Sequence, residues 1–87
     1  MRAEVVIRTP RDLGLAIAEA RQVCQLTQAQ VAQSAGLDRT YLAKMEAGLT
    51  TLYVNRLLRV LSRLGAQLTV TLPPVAGGGS SGSPSGG

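Results

Sequence analysis

The chain has 87 residues, one cysteine, no histidine and a formal net charge of +4, which bounds it to one small domain. A single thiol excludes an intrachain disulfide, and without histidine there is no ordinary zinc site and no Ser-His or Cys-His catalysis, so no enzyme, metal or cofactor is expected. The positive balance favours an anionic partner, although it also fits a membrane surface or simple solubility.

The elements follow in chain order. Ala3-Glu4-Val5-Val6-Ile7-Arg8 is short and β-branched and predicts a strand. Thr9-Pro10 then has the form of an N-cap followed by proline at the first helical position. The helix it opens runs to about Cys24, with Leu13, Ile17, Ala20 and Cys24 on its inner face and Ala16 and Val23 beside them. Gly14 weakens that helix by about 1 kcal/mol relative to alanine, so tertiary packing must hold it. On the apolar stripe, Cys24 reads as a small buried hydrophobe.

Residues 27–48, TQAQVAQSAGLDRTYLAKMEAG, form the centre of the sequence. Thr27 and Gln30 have the spacing of a capping box. Val31, Ala32 and Ala35 share a helical face, and Gly36 can close the helix at positive φ. Leu37 is expected to be a buried bridge, and Asp38 to cap a second helix with Leu42 and Met45 inward and Gly48 at its end. The small side chain of Ala32 lets the two helices approach closely.

A fourth helix, expected to be capped by Thr51, buries Leu57, Leu58, Leu61 and Leu64, with Val54 and Val60 alongside. Arg56, Arg59 and Arg63 lie on the opposite side and read as a solvated face, with contact to phosphates or to an acidic partner protein as the alternative. Gly65 ends the helix. Residues 66–72 alternate Leu68, Val70 and Leu72 with polar neighbours and stop at Pro73-Pro74, predicting a half-buried strand. One strand cannot satisfy its own backbone groups, so it pairs either with the N-terminal strand or with a second chain. Residues 75–87 are a Gly/Ser tail of disordered composition. The foldable part, 1–74, is near the size at which a core is thin and dimerisation helps.

The order of small residue, glycine, apolar bridge and second helix in 27–48 resembles a helix-turn-helix, and more narrowly the XRE/lambda-repressor-like family. Thr27-Gln28, Val31-Ala32, Ala35-Gly36-Leu37, Leu42, Met45-Glu46 and Gly48 carry the resemblance. It implies a mainly α, four-helix lambda-repressor-like DNA-binding domain, here with a short N-terminal strand and a C-terminal strand used in dimerisation. The ending from Thr50 to Leu64 and on to Leu68-Thr69-Val70 is similar to HipB-type antitoxins. That similarity implies a homodimeric repressor of its own operon and a HipA-type kinase toxin as partner; the alternative is a stand-alone phage or metabolic repressor.

On this reading Thr27 and Gln28 meet the phosphate backbone at a helix N-terminus. Arg39, Thr40 and Lys44 point outward from the second helix, and Arg39 suits the O6 and N7 acceptors of guanine. Tyr41 either stacks on the backbone or covers the helix junction. Glu46 matches a family position that pairs with a first-helix arginine, here Arg21. Leu68, Val70 and Leu72 are the expected dimerisation residues. The DNA partner would be a double-stranded, inverted-repeat operator. With no apolar run near the roughly 20 residues of a membrane span and no signal peptide in view, a cytoplasmic, nucleoid-associated location is expected.

Overall fold

A computed structural model describes residues 3–49 and 52–75. The element order is β1 (Glu4–Ile7), α1 (Pro10–Val23), α2 (Gln28–Ala35), α3 (Arg39–Glu46), α4 (Leu52–Arg63) and β2 (Leu68–Thr71). Thr51, expected to cap α4, and the tail from 76 onward lie outside the described residues.

β1 and β2 form a two-stranded antiparallel sheet, with Glu4 opposite Thr71 and Ile7 opposite Leu68. The Leu72 amide donates to the Ala3 carbonyl at 2.8 Å and extends the ladder. The C-terminal strand thus finds its partner inside the chain. Val70 is half-buried against the core and Leu72 is buried, whereas Leu68 stays partly open to solvent. The residues expected to join two chains therefore spend most of their apolar surface within one.

Two helices begin in reciprocal caps. The Thr9 hydroxyl accepts from the Asp12 amide at 3.1 Å, and the Asp12 carboxylate accepts from the Thr9 and Arg8 amides. Thr27 and Gln30 repeat the arrangement at 3.1 and 2.8 Å. Each box satisfies backbone donors that a helix end leaves orphaned. α1 ends without glycine: Gln25 takes the left-handed conformation at φ 59°, and the Leu26 amide returns to the Arg21 carbonyl at 3.1 Å. Cys24, the C-cap, is exposed. It is not the buried hydrophobe expected, because the chain turns off the α1 stripe at that residue.

The core is small. Ile7, Ala16 and Leu58 cluster from β1, α1 and α4, with Val5, Leu13, Val54 and Val70 packed around them. On α4 only Leu58 is buried, with Val54 and Leu61 half-buried; Leu57, Val60 and Leu64 are exposed, contrary to expectation. Helical spacing explains this. Residues 54, 58 and 61 share one arc, which meets the core, while 57, 60 and 64 occupy the adjoining arc, which does not.

Candidate nucleic-acid interface

Gly36 stands at φ 74°, and the Leu37 amide returns to the Ala32 carbonyl at 2.8 Å, closing α2 as a left-handed cap does. Ala32 is buried at the helix junction and Leu42 faces in from α3. Leu37 is 38% exposed and is not the buried bridge expected. Here backbone closure at Gly36 sets the turn. Asp38 occupies the N-cap position with extended backbone, but its side chain makes no capping bond.

Against α1 the fit of α3 is tighter still. A Cβ on Gly14 would lie 2.5 Å from the carbonyl oxygens of both Met45 and Glu46. A Cβ on Gly48, which sits at φ 83°, would lie 2.9 Å from the Arg11 Cα. The last turn of α3 therefore rests almost directly on the α1 backbone. Gly14 supplies the closest approach of α1 to α3, as Ala32 is expected to do between α2 and α3.

One carboxylate then ties three helices. Glu46 accepts from Arg21 Nε at 2.8 Å and from Arg21 Nη2 at 3.1 Å, a bidentate pair. Gln28 Nε2 donates to the same carboxylate at 3.0 Å, and Arg21 Nη1 donates to the Leu26 carbonyl at 2.9 Å. The ion-paired side chains are only 15% and 8% exposed. The hydrogen bonds from Arg21 hold the Glu46 carboxyl below its ordinary value, reinforced by the Gln28 amide and opposed by burial. The same bonds raise the Arg21 guanidinium. The expected Arg21–Glu46 pair is present, and Gln28, expected at a phosphate, commits its amide nitrogen to this network and keeps its carbonyl oxygen free of it.

The outer surface of α3 is open. Arg39, Thr40, Tyr41 and Lys44 are all exposed. Thr40 and Lys44, four residues apart, stand opposite buried Leu42, and Arg39 and Tyr41 flank them in the first turn. Among the described residues neither Arg39 nor Lys44 has a carboxylate partner. Thr27 is exposed at the start of α2, with its hydroxyl oxygen engaged by the Gln30 amide. The α3 side chains expected at DNA thus share one open surface. The sequence marks Gly14 as a weak point that packing must hold, but nothing local in it points to the α3 backbone as the partner.

Among the described residues no group of His, Cys, Asp and Glu side chains is arranged to hold a metal ion. No helix among them is long and apolar enough to cross a membrane.

Comparison with known proteins agrees with this geometry. A family model described as a helix-turn-helix domain matches residues 2–72. The chain is 31% identical over 67 residues to an uncharacterized HTH-type transcriptional regulator, y4mF, of Sinorhizobium fredii (strain NBRC 101917 / NGR234). That match covers 77% of this chain and 88% of the relative. No solved structure matches. With a compact α2–turn–α3 unit, an open outer α3 face and a family match over nearly all the described residues, the chain belongs to the helix-turn-helix domain family.

Proposed function

We propose that this protein is a sequence-specific DNA-binding transcription regulator that acts as a homodimeric repressor on an inverted repeat. The observation that carries the reading is the division of α3 into two faces. Its inner face is fixed by Leu42, Glu46 and the Gly14 contact, and its outer face offers Arg39, Thr40 and Lys44 to a duplex. A helix held this firmly keeps its side chains in register with base edges, which direct readout requires. Arg39 is the base reader, Thr40 meets a thymine methyl, and Lys44 reaches a base or phosphate one turn on. Tyr41, Thr27 and Gln28 face the backbone, Gln28 now doubling as part of the scaffold. The name of the S. fredii relative, an HTH-type transcriptional regulator, supports the same class.

The test is selection of a binding sequence from random duplexes, followed by titration. Arg39→Ala should weaken the selected site by about 1–3 kcal/mol and relax preference at one base pair. An equal loss on selected and random DNA would remove Arg39 from base reading. A chain that enriches no sequence would overturn the proposal.

Within this reading we assign the chain the role of an antitoxin that neutralises a HipA-type kinase, on the similarity of its helix-then-strand ending to that group. Co-purification with a kinase encoded beside it tests the assignment. A regulator with no such neighbour is the stand-alone alternative.

A further inference from the structure

α4 is a helix of 12 residues that keeps one large apolar side chain, Leu58, fully inside the domain. A helix this short is marginal without packing on an apolar face. Beside the buried arc runs a second apolar stripe: Tyr53 at 71% exposure, Leu57 at 44%, Val60 at 55% and Leu64 at 74%. Scattered apolar residues need no explanation, but a contiguous row of large ones marks an interaction surface.

We propose that this stripe is the face on which a second copy of the chain docks, α4 against α4 in antiparallel orientation about a twofold axis. The reading rests on the dimeric regulator proposed above and places its interface on α4 instead of on Leu68, Val70 and Leu72. Two features favour a second copy. The steps along the stripe are four, three and four residues, the knob spacing of a coiled-coil seam. That series is the same read from either end. An antiparallel twofold therefore sets Tyr53 opposite the partner's Leu64 and Leu57 opposite the partner's Val60, with no member of the stripe left unmatched. This is the self-complementarity that an isologous interface demands. The strands, in contrast, have already used Val70 and Leu72 on their own core.

Charge gives the proposal a distinctive signature. α4 contains no acidic residue, and Arg56 and Arg63 border the stripe on the Val60 side. In the antiparallel pair these arginines approach the partner's arginines across the rim. Salt screens such repulsion, so association tightens as salt rises. DNA binding weakens over the same range. An acidic partner helix on the stripe would show the reverse salt dependence.

Sedimentation equilibrium of the full chain at low and high salt tests this, with Leu57→Ser/Val60→Ser as the variant. Wild type should be a dimer that tightens with salt, and the variant should dissociate about a hundredfold or more readily, with unchanged far-ultraviolet circular dichroism. Its affinity for a single half-site should remain that of wild type, while binding to the full repeat loses its cooperativity. A variant as dimeric as wild type overturns the α4 interface and leaves the dimeric regulator standing. A wild type that is monomeric both free and on the full repeat overturns both. Because a substituted helix can unfold, disulfide trapping supplies a second measurement in a Cys24→Ser background. Chains carrying Leu57→Cys and chains carrying Val60→Cys should cross-link to each other faster than either does to itself. Faster self-linking would overturn the antiparallel register.

Discussion

Replacing Gly14 by alanine should destabilise the protein, although helix propensity alone says the opposite. In an exposed helix interior the change gains about 1 kcal/mol. Here the new methyl would sit 2.5 Å from two α3 carbonyl oxygens and 2.8 Å from the Glu46 carbonyl carbon. Ordinary carbon–oxygen contacts begin near about 3.3 Å, so α3 must retreat by the better part of an ångström. The obstacle is backbone on both sides, and no flexible side chain can swing away. Overpacking of a well-packed contact costs about 1–3 kcal/mol, and an unyielding contact belongs at the upper end. Subtracting the propensity gain leaves a net loss of about 2 kcal/mol. For a domain this size that lowers the urea midpoint by about 2 M, taking a slope of about 1 kcal/mol per molar. Urea unfolding followed by circular dichroism measures it. The displaced α3 should also bind selected DNA more weakly under conditions where the variant is fully folded. A Gly14→Ala variant stabilised by about 1 kcal/mol, with DNA affinity intact, would refute the claim that the α1–α3 approach is sterically limited.

Three other outcomes follow from the same packing. Gly36→Ala meets no atom within 4 Å but must hold φ 74°; it should cost about 1–2 kcal/mol in urea unfolding without altering the DNA affinity of the folded protein. Gln25→Gly should raise stability by about 1 kcal/mol in the same assay, since glycine relieves the left-handed strain at φ 59°. Glu46 is held below its ordinary value of 4.5. Its contribution is therefore fully present above that pH and is lost as pH falls through the lower folded-state value. Glu46→Gln should unfold with a shallower pH dependence across that acid window, and a parallel profile would show that the carboxylate carries no linkage.

The caps of α1 and α2, the glycine closure of α2 and the outward set on α3 are legible in the sequence because each is a local pattern; Asp38, expected to cap α3, makes no such bond. Thr9-Pro10 and Thr27 with Gln30 need only their near neighbours to form. The Arg21–Glu46 pair, 25 positions apart, came from family resemblance, since no helical spacing relates the two. Which face meets what is not written in local pattern. α4 carries leucines and valines over a wide arc, and periodicity cannot say which half the rest of the domain covers. Leu37 was expected inside on its apolar character, but its position after the Gly36 turn leaves it partly outside. Gly14 shows the deeper limit. In sequence it is a defect in a helix, and its purpose exists only once α3 is laid across it.

The anchoring of α3 from beneath has a consequence for how new specificities arise. Arg39, Thr40 and Lys44 share no hydrogen bond with Glu46, Arg21 or Gln28. They can be exchanged without disturbing the platform that aims them. Such a domain is a ready chassis for reprogramming: libraries randomised at those three positions should yield folded chains that recognise altered targets, each inheriting the same footing.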